Sequence, residues 1–357
     1  MPPVAPMLAK ASPELPHAEV GEYWFEPKWD GFRCLVFRDG DEIELGSRND
    51  RPLTRYFPEL IEPLKAALPE RCVLDGEIVI AGADGLDFAA LQQRIHPAAS
   101  RIERLAGETP ASFVAFDLLA LGDRSLIDTE LGERRSLLEG ALEGASGPVH
   151  LTPGTFDRTV AADWFSRFEG AGLDGVMAKV AAGTYQPGKR AQLKVKHERT
   201  IDCVVAGFRE HKNGDGPGSL MLGLYDDEDK LHHMGVASSF SVARRAELRD
   251  ELAPFITQDW STHPWGQWAD AMAQAESNRL PGSPSRWNAD KNLNFTPLRP
   301  ELVVEVAYER VDNGRFRHSA RFRRWRPDRE PATCTFDQLE VVAPFELQSV
   351  FGWGVQS

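Results

Sequence analysis

Apolar residues along this chain change period several times, and each change marks an element. An apolar run at 34–37 and an alternating one at 42–46 stand on either side of Asp39-Gly40, which predicts a β-hairpin. Residues 71–81 hold two apolar triplets, Cys72-Val73-Leu74 and Ile78-Val79-Ile80, and 112–121 is an apolar strand interrupted by Asp117. An acid inside an apolar strand needs a partner. At 88–95 the period lengthens: Phe88, Leu91 and Ile95 fall on one helical face, with Gln92 and Arg94 pointing elsewhere. Further helices are expected over 131–142 and, after Pro153-Gly154, over 161–169.

After Lys196 the texture shifts. Short strands at 201–208 and 220–225 flank a Gly-rich loop at 213–218. A helix at 242–252, a stretch containing Trp260, Trp265 and Trp268, a polar Pro- and Ser-rich loop, and a strand near 302–308 follow. This pattern fits a small β-barrel of the OB kind behind a mixed α/β domain, with the boundary near Glu198. Two domains, 1–198 and 199–357, suit a chain of 357 residues with an ordinary apolar fraction of 42%. No internal repeat is visible.

The start, Met1-Pro2-Pro3-Val4-Ala5-Pro6, lacks a charged lead into an apolar core, and no run is long enough to span a bilayer, so a soluble cytoplasmic protein is expected. Four cysteines stand singly, without Cys-x-x-Cys spacing, and read as reduced structural thiols. A net charge of −13 argues against phosphate binding by the chain as a whole. Two stretches depart from that average: Lys189, Arg190, Lys194, Lys196 and Arg199, and a run of seven arginines from Arg315 to Arg329 interleaved with Phe316, Phe322 and Trp325. A charge run is usually a solvated face, yet guanidinium forks with rings beneath them also suit a phosphate-tracking surface.

Lys28 lies in Glu26-Pro27-Lys28-Trp29-Asp30-Gly31-Phe32-Arg33. Lys-x-Asp-Gly alone is weak, since average composition produces it in about one chain of this length in twelve. Its context is stronger: an aromatic strand-like run precedes it, Asp30-Gly31 can turn the chain, and Arg33 follows. Asp75-Gly76-Glu77 and Asp174-Gly175 place acids at strand ends, where two carboxylates can hold Mg²⁺. Lys194 and Lys196 share one face of a strand, which a phosphate can bridge.

These pieces together resemble the ATP-dependent DNA ligases of the covalent nucleotidyltransferase superfamily, in particular the compact bacterial LigC type and the ligase domain of LigD. Pro6-Met7-Leu8-Ala9 is similar to the family's opening motif. The nucleotidyltransferase motifs then follow in family order: Lys28-Trp29-Asp30-Gly31, Ser47-Arg48, Asp75-Gly76-Glu77, Phe116-Asp117-Leu118-Leu119, Asp174 to Lys179, Lys194-Val195-Lys196 and Arg326-Pro327-Asp328-Arg329. Motif IV usually begins with Glu, where this chain has Asp174; motif VI commonly ends in Lys, where it has Arg329. The resemblance covers nearly the whole chain.

It implies an α+β nucleotidyltransferase (adenylation) domain with antiparallel sheets and flanking helices, followed by a C-terminal OB-fold β-barrel. It also implies nick sealing in duplex DNA through a lysyl-AMP intermediate, in DNA repair. Lys28 would be the nucleophile, Asp30 an orienting group, and Lys194 and Lys196 the α-phosphate contacts. Glu26 would read the adenine edge between Phe116 and Met177; Arg33, Arg48 and Glu77 would fix ribose and phosphate; Glu77 and Asp174 would hold the metal. Arg326, Asp328 and Arg329 would serve the first step through domain closure about a hinge at 197–200, and the loop at 212–218 would reach for DNA. ATP and Mg²⁺, or Mn²⁺, are the implied cofactors, nicked duplex DNA the substrate, Ku or a repair polymerase the candidate partners, and a monomer the expected state. Two rivals stay open: RNA ligation or GTP-dependent capping on the same motifs, and a silent DNA-binding module that keeps only the fold.

Overall fold

The computed structural model describes residues 4–17, 19, 21–49, 51–83, 85–214, 216–267, 294–312, 314–340 and 342–352. Asp215, Trp268 and the Pro- and Ser-rich loop after it lie outside the described residues. The chain divides into two compact units: Met1–Lys196 with Val342–Ser357, and His197–Val341.

The first unit opens with β1 (Leu8–Ser12), β2 (Tyr23–Pro27), the hairpin of β3 (Phe32–Asp39) and β4 (Glu42–Ser47), and α1 (Ile61–Ala67). Next come β5 (Arg71–Gly82), β6 (Gly85–Leu86), α2 (Phe88–Gln93), α3 (Ala99–Glu108), β7 (Ala111–Leu121) and β8 (Arg124–Ser125). It continues through α4 (Leu131–Ala141), β9 (Val149–Leu151), α5 (Arg158–Arg167), β10 (Val176–Val180) and β11 (Arg190–Val195). Gly40 turns the hairpin at φ 60°, a backbone region that glycine enters without steric cost. One sheet runs β1-β11-β10-β2; the other runs β4-β3-β5-β7-β8, with β6 on β5 and β9 on β7.

The two acids inside apolar strands find their partners here. Asp117 Oδ1 and Oδ2 accept from Arg134 Nε and Nη2 at 2.7 and 3.0 Å, both residues about 1–2% exposed. Asp75, on the neighbouring strand and fully buried, holds Arg33. Around them apolar side chains of β3, β5 and β7 pack with those of α1, α2 and α4.

The second unit comprises β12 (Arg199–Glu210), β13 (Pro217–Tyr225), β14 (Leu231–Ser238), α6 (Val242–Leu252), β15 (Thr296–Tyr308), the small hairpin β16 (Val311–Asp312) and β17 (Arg315–Phe316), and β18 (Arg321–Trp325). Ser241 caps α6 by accepting from Arg244 N. The sheet order is β14-β13-β12-β15-β18. Ala320, just before β18, exchanges backbone hydrogen bonds with Val236 and Ser238 of β14, which brings the ends of the sheet together as a barrel. Its interior includes Val204, Leu222, Met234, Leu248, Trp265 and Val304.

Four expectations change. The sheets are not wholly antiparallel: β1 runs parallel to β11 and β9 to β7. Residues 199–357 do not form one domain. The tail returns to the first unit in α7 (Leu347–Gly352), because Phe345, Leu347, Val350 and Phe351 find apolar partners around Trp164 and Phe168 there. Arg94 does not point away from the core. It is fully buried, held by Glu59 at 2.6 and 2.8 Å and by the carbonyls of Tyr56 and Thr109. Finally, the units divide at 196/197, and Arg199 and Thr200, expected in a hinge, are already paired with Tyr308 and Ala307 of β15. Among the described residues, no helix is long and apolar enough to cross a membrane.

Candidate active site

Lys28 follows directly on β2, which pairs with β10 in a register that sets Glu26 opposite Met177. Backbone bonds extend this pairing past the strand: Lys28 N donates to Gly175 O at 2.8 Å, and Asp174 N donates to Lys28 O at 2.9 Å. On its other side Gly175 permits the close approach of the end of β11. Its φ is +129°, and a Cβ there would stand 2.1 Å from Val195 O. Lys28 Nζ therefore donates to Asp174 Oδ2 at 2.8 Å, while Lys196 Nζ reaches the same oxygen at 3.0 Å. Burial pushes the Asp174 carboxyl up, but Lys28 and Lys196 outweigh it and hold the pKa at about 2.

Gly31 makes the second close approach. A Cβ at this position would lie 2.1 Å from Ile78 O, so only glycine lets the start of β3 sit against β5. Gly31 N donates to Glu77 Oε1 at 3.2 Å, which fixes the Glu77 carboxyl near Lys28. Burial raises the Glu77 pKa to about 7 against the opposing pull of Arg33 and Lys28.

One cavity of about 460 Å³ gathers Glu26, Lys28, Arg33, Arg48, Glu77, Phe116, Met177, Lys194 and Lys196 on its walls, within the size range of small-molecule sites. Pro6, Met7, Leu8, Ala9 and Ala11 form another wall, with Trp29, Lys179, Arg190 and Gln192 completing it. Two cations stand near the Phe116 ring, the Arg33 guanidinium 4.5 Å and Lys179 Nζ 4.9 Å from its centroid.

Asp30 is buried and stands outside this lining, and Asp174 joins the site through its contacts to Lys28 and Lys196. Arg326, Asp328 and Arg329 belong to the second unit. There Arg326 Nη1 donates to both oxygens of Asp202 at 3.0 and 2.9 Å and also pairs with Asp328, while Arg329 lies 3.3 Å from Asp202. The basic run is not a bare surface either. Glu198 pairs with Arg321 and Arg323, and Glu305 pairs with Arg324.

Comparison with known proteins fits this division. A family model for the ATP dependent DNA ligase domain matches residues 6–196, and one for the ATP dependent DNA ligase C terminal region matches residues 213–329. The chain belongs to the ATP-dependent DNA ligases. It is 55% identical to DNA ligase C of Mycobacterium tuberculosis over 98% of this chain and 97% of that protein. It is 31% identical to the multifunctional non-homologous end joining protein LigD of Mycobacterium bovis, over 92% of this chain and 39% of that protein. A solved Lig E DNA ligase structure, 18% identical, superposes with a TM-score of 0.55 over 90% of this chain and 99% of its own; that likeness concerns the fold. The first unit is accordingly the nucleotidyltransferase fold of a DNA ligase, and the second is its OB barrel.

Sequence reasoning missed Lys179 in the ligase cavity and the residues that hold its walls from behind. Lys179 is 3% exposed, pairs with Glu26 at 2.6 Å and donates to Phe116 O at 3.2 Å. Its signal was a lysine ending an apolar strand, where a charge needs a buried partner. Trp24 Nε1 also donates to Glu26, at 2.9 Å, so Glu26 is anchored from two sides. Tyr185, which bonds Met7 and Asp75, gave no local signal, and Asp75 stood out as an acid between apolar triplets but not as the partner of Arg33.

Among the described residues there is no group of three or more His, Cys, Asp or Glu side chains placed to hold a metal ion. A divalent ion here fits as Mg²⁺ fits many phosphoryl-transfer sites: one or two carboxylates from the protein, and phosphate and water oxygens for the rest. Glu77 is the better placed of the two carboxylates, since it lines the cavity and its burial makes a nearby cation favourable, whereas Asp174 already faces two lysines.

Proposed function

We propose that this DNA ligase carries AMP on Lys28 and seals nicks in duplex DNA with it. The observation that supports this most is Lys28 Nζ at the wall of a 460 Å³ cavity whose other walls carry Lys194, Lys196, Arg33 and Phe116.

ATP enters with adenine over Phe116, its edge toward Glu26 and Lys179, Met177 on the opposite face, and its phosphates toward Lys194 and Lys196. Arg33, Arg48 and Glu77 hold the ribose and phosphates. Lys28 Nζ, as the free amine, attacks the α-phosphorus, a P–N bond forms, pyrophosphate leaves with the electron pair of the broken P–O bond, and the proton of the amine passes to solvent or to the departing pyrophosphate. A carboxyl held at about 2 is a poor proton acceptor at neutral pH, so Asp174 steers the Lys28 amine rather than deprotonating it. Mg²⁺, held through Glu77 and Asp174, would neutralise phosphate charge; Mn²⁺ is the alternative. AMP then passes to the 5′-phosphate at the nick, and the adjacent 3′-hydroxyl displaces it. Each transfer is in line, so positioning and charge neutralisation supply most of the rate.

Asp30 orients the reacting groups from behind the cavity wall. Arg326, Asp328 and Arg329 serve the first step, the reaction with ATP. DNA repair is the proposed setting, in the cytoplasm, with Ku or a repair polymerase as partner and the ligase acting as a monomer. The relationship to LigD, whose name includes end joining, supports that setting.

The test is incubation with labelled ATP and, separately, labelled GTP, followed by peptide mapping of the adduct and addition of nicked DNA or nicked RNA duplexes. An adduct from ATP on the peptide containing Lys28, lost in Lys28→Ala while the variant melts normally, is expected. An adduct formed only with GTP, or one that survives Lys28→Ala, overturns the reading.

A further inference from the structure

Behind Arg33, which holds the nucleotide, lies a polar network whose other members take no part in the chemical steps. Tyr185 is 2% exposed, and its hydroxyl sits between two partners: it donates to Asp75 Oδ2 at 2.6 Å and accepts from Met7 N at 2.9 Å. Asp75 is fully buried and holds the Arg33 guanidinium through two bonds of 2.5 Å. Arg33 Nη2 donates back to Met7 O at 3.3 Å. The ring of contacts Tyr185, Asp75, Arg33, Met7 is therefore closed. Burial first, and then the Asp75 charge, push the Tyr185 hydroxyl pKa upward, so it stays protonated at neutral pH and remains a donor to Asp75.

What this ring holds is a wall of the ATP cavity. Met7 lines it together with Pro6, Leu8, Ala9 and Ala11. This segment runs into β1, which among the described residues is an edge strand laddered to β11, where Ala11 stands opposite Lys194. At its start it is attached by Leu8 N to Lys189 O at 2.8 Å, by Gly188 N to Pro6 O at 3.3 Å, by Arg33 Nη2 to Met7 O and Gln186 N to Met7 Sδ, and by Met7 N to the Tyr185 hydroxyl. An edge segment held at its start by separate attachments rather than by a ladder on each side depends in part on each of them. Tyr185 is thus a single group that fixes two parts of the wall at once, the backbone of Met7 and, through Asp75, the side chain of Arg33.

We infer that the Tyr185 hydroxyl is a positioning group for ATP capture, holding the Pro6–Met7 segment and Arg33 as one preformed wall. The inference rests on reading this cavity as the ATP site. A preformed wall spares the nucleotide the ordering cost of assembling it, and that saving falls on ground-state binding rather than on the chemical step. Losing the hydroxyl should therefore raise the KM for ATP and spare the maximal rate of Lys28 adenylation.

Tyr185→Phe removes the oxygen alone and keeps the ring packed among Met7, Leu35 and Val73. In the full-length protein, adduct formation is followed against ATP concentration, with thermal unfolding measured in parallel. The expected result is a KM for ATP higher by roughly ten-fold, equivalent to about 1.4 kcal/mol of binding, with a maximal rate within about two-fold of the parent. Asp75→Asn, which keeps the volume and an acceptor but drops the charge on Arg33, should raise KM further in the same direction. An unchanged KM in Tyr185→Phe, including the case where only the melting temperature falls, overturns the inference. So does a loss of maximal rate at constant KM. If the parent protein itself forms no adduct with ATP, the failure lies with the reading of the cavity rather than with Tyr185.

Discussion

Asp117 adjoins Phe116 in the cavity wall, yet its carboxylate is spent on Arg134 of α4. Asp117→Ala would leave the Arg134 guanidinium buried with Thr129 O at 2.6 Å and Gly183 O at 3.3 Å as its remaining acceptors. Breaking a buried pair from one side costs about 3–5 kcal/mol, most of it the penalty of the stranded charge. For a unit of this size each kcal/mol lowers the melting temperature by roughly 2–4 °C, so a fall of roughly 6–20 °C is expected in a thermal melt. Below that transition, adduct formation with ATP should stay within about three-fold of the parent, because the backbone on either side of Phe116 is held by the ladder to β5, Ala115 opposite Gly76 and position 117 opposite Asp75, whatever side chain stands at 117. Arg134→Met in the same molecule should recover part of the lost stability. A loss below about 1 kcal/mol would show that Arg134 does not depend on this partner. A greater than ten-fold drop in adenylation by fully folded variant would make Asp117 part of the site.

Two further outcomes follow from side chains outside the reaction centre. His233 is 6% exposed, and burial first, then Arg315 and Arg209, hold its pKa well below the usual value. The unfolded chain takes up a proton near pH 6.5 while the native one does not, so this residue's contribution is full above about pH 6.5 and is lost as pH falls toward the folded value, at up to about 1.4 kcal/mol per pH unit. Denaturant melts of the parent and His233→Gln between pH 5 and 8 check this; equal slopes would refute it. Phe351 stacks 5.2 Å from the Trp29 ring and 3.9 Å from His150, so Phe351→Ala should cost about 1–3 kcal/mol in a thermal melt. An unchanged melt would mean that the tail is not docked on the first unit in solution.

How much of this could be read from the chain depended on where each signal lay. The hairpin of β3 and β4 and the helix Val242–Leu252 were legible because Gly40 and Ser241 carry local turn and cap chemistry. The helix Ala99–Glu108 was not: it buries only Ile102 and Leu105 and has no side-chain cap. In β14, His232, His233 and Gly235 break the apolar pattern of a strand that is nevertheless buried. Arg321–Trp325 read as a basic surface, and it is a barrel strand whose arginines meet Glu198 and Glu305. The cavity residues Lys28, Glu77, Lys194 and Lys196 were found as members of an ordered motif set. Tyr185 and Asp75 meet across 110 positions, and nothing local to either residue announces such a pairing.

The acidic excess of the chain also takes on a definite meaning. At −13 the molecule as a whole repels a polyanion, and several of its arginines are already committed to carboxylates in the barrel. The cavity reverses that balance: seven cationic side chains line it against the two carboxylates Glu26 and Glu77. Of these two, Glu26 is neutralised by Lys179 at 2.6 Å, and burial holds the Glu77 pKa at about 7, so little negative charge opposes an incoming triphosphate at neutral pH. Long-range repulsion is screened within about 8 Å at physiological salt, whereas these cations act in a partly desolvated cavity where screening is weaker. Net charge thus bears on how such a chain approaches nucleic acid in solution, and local charge on what it can hold.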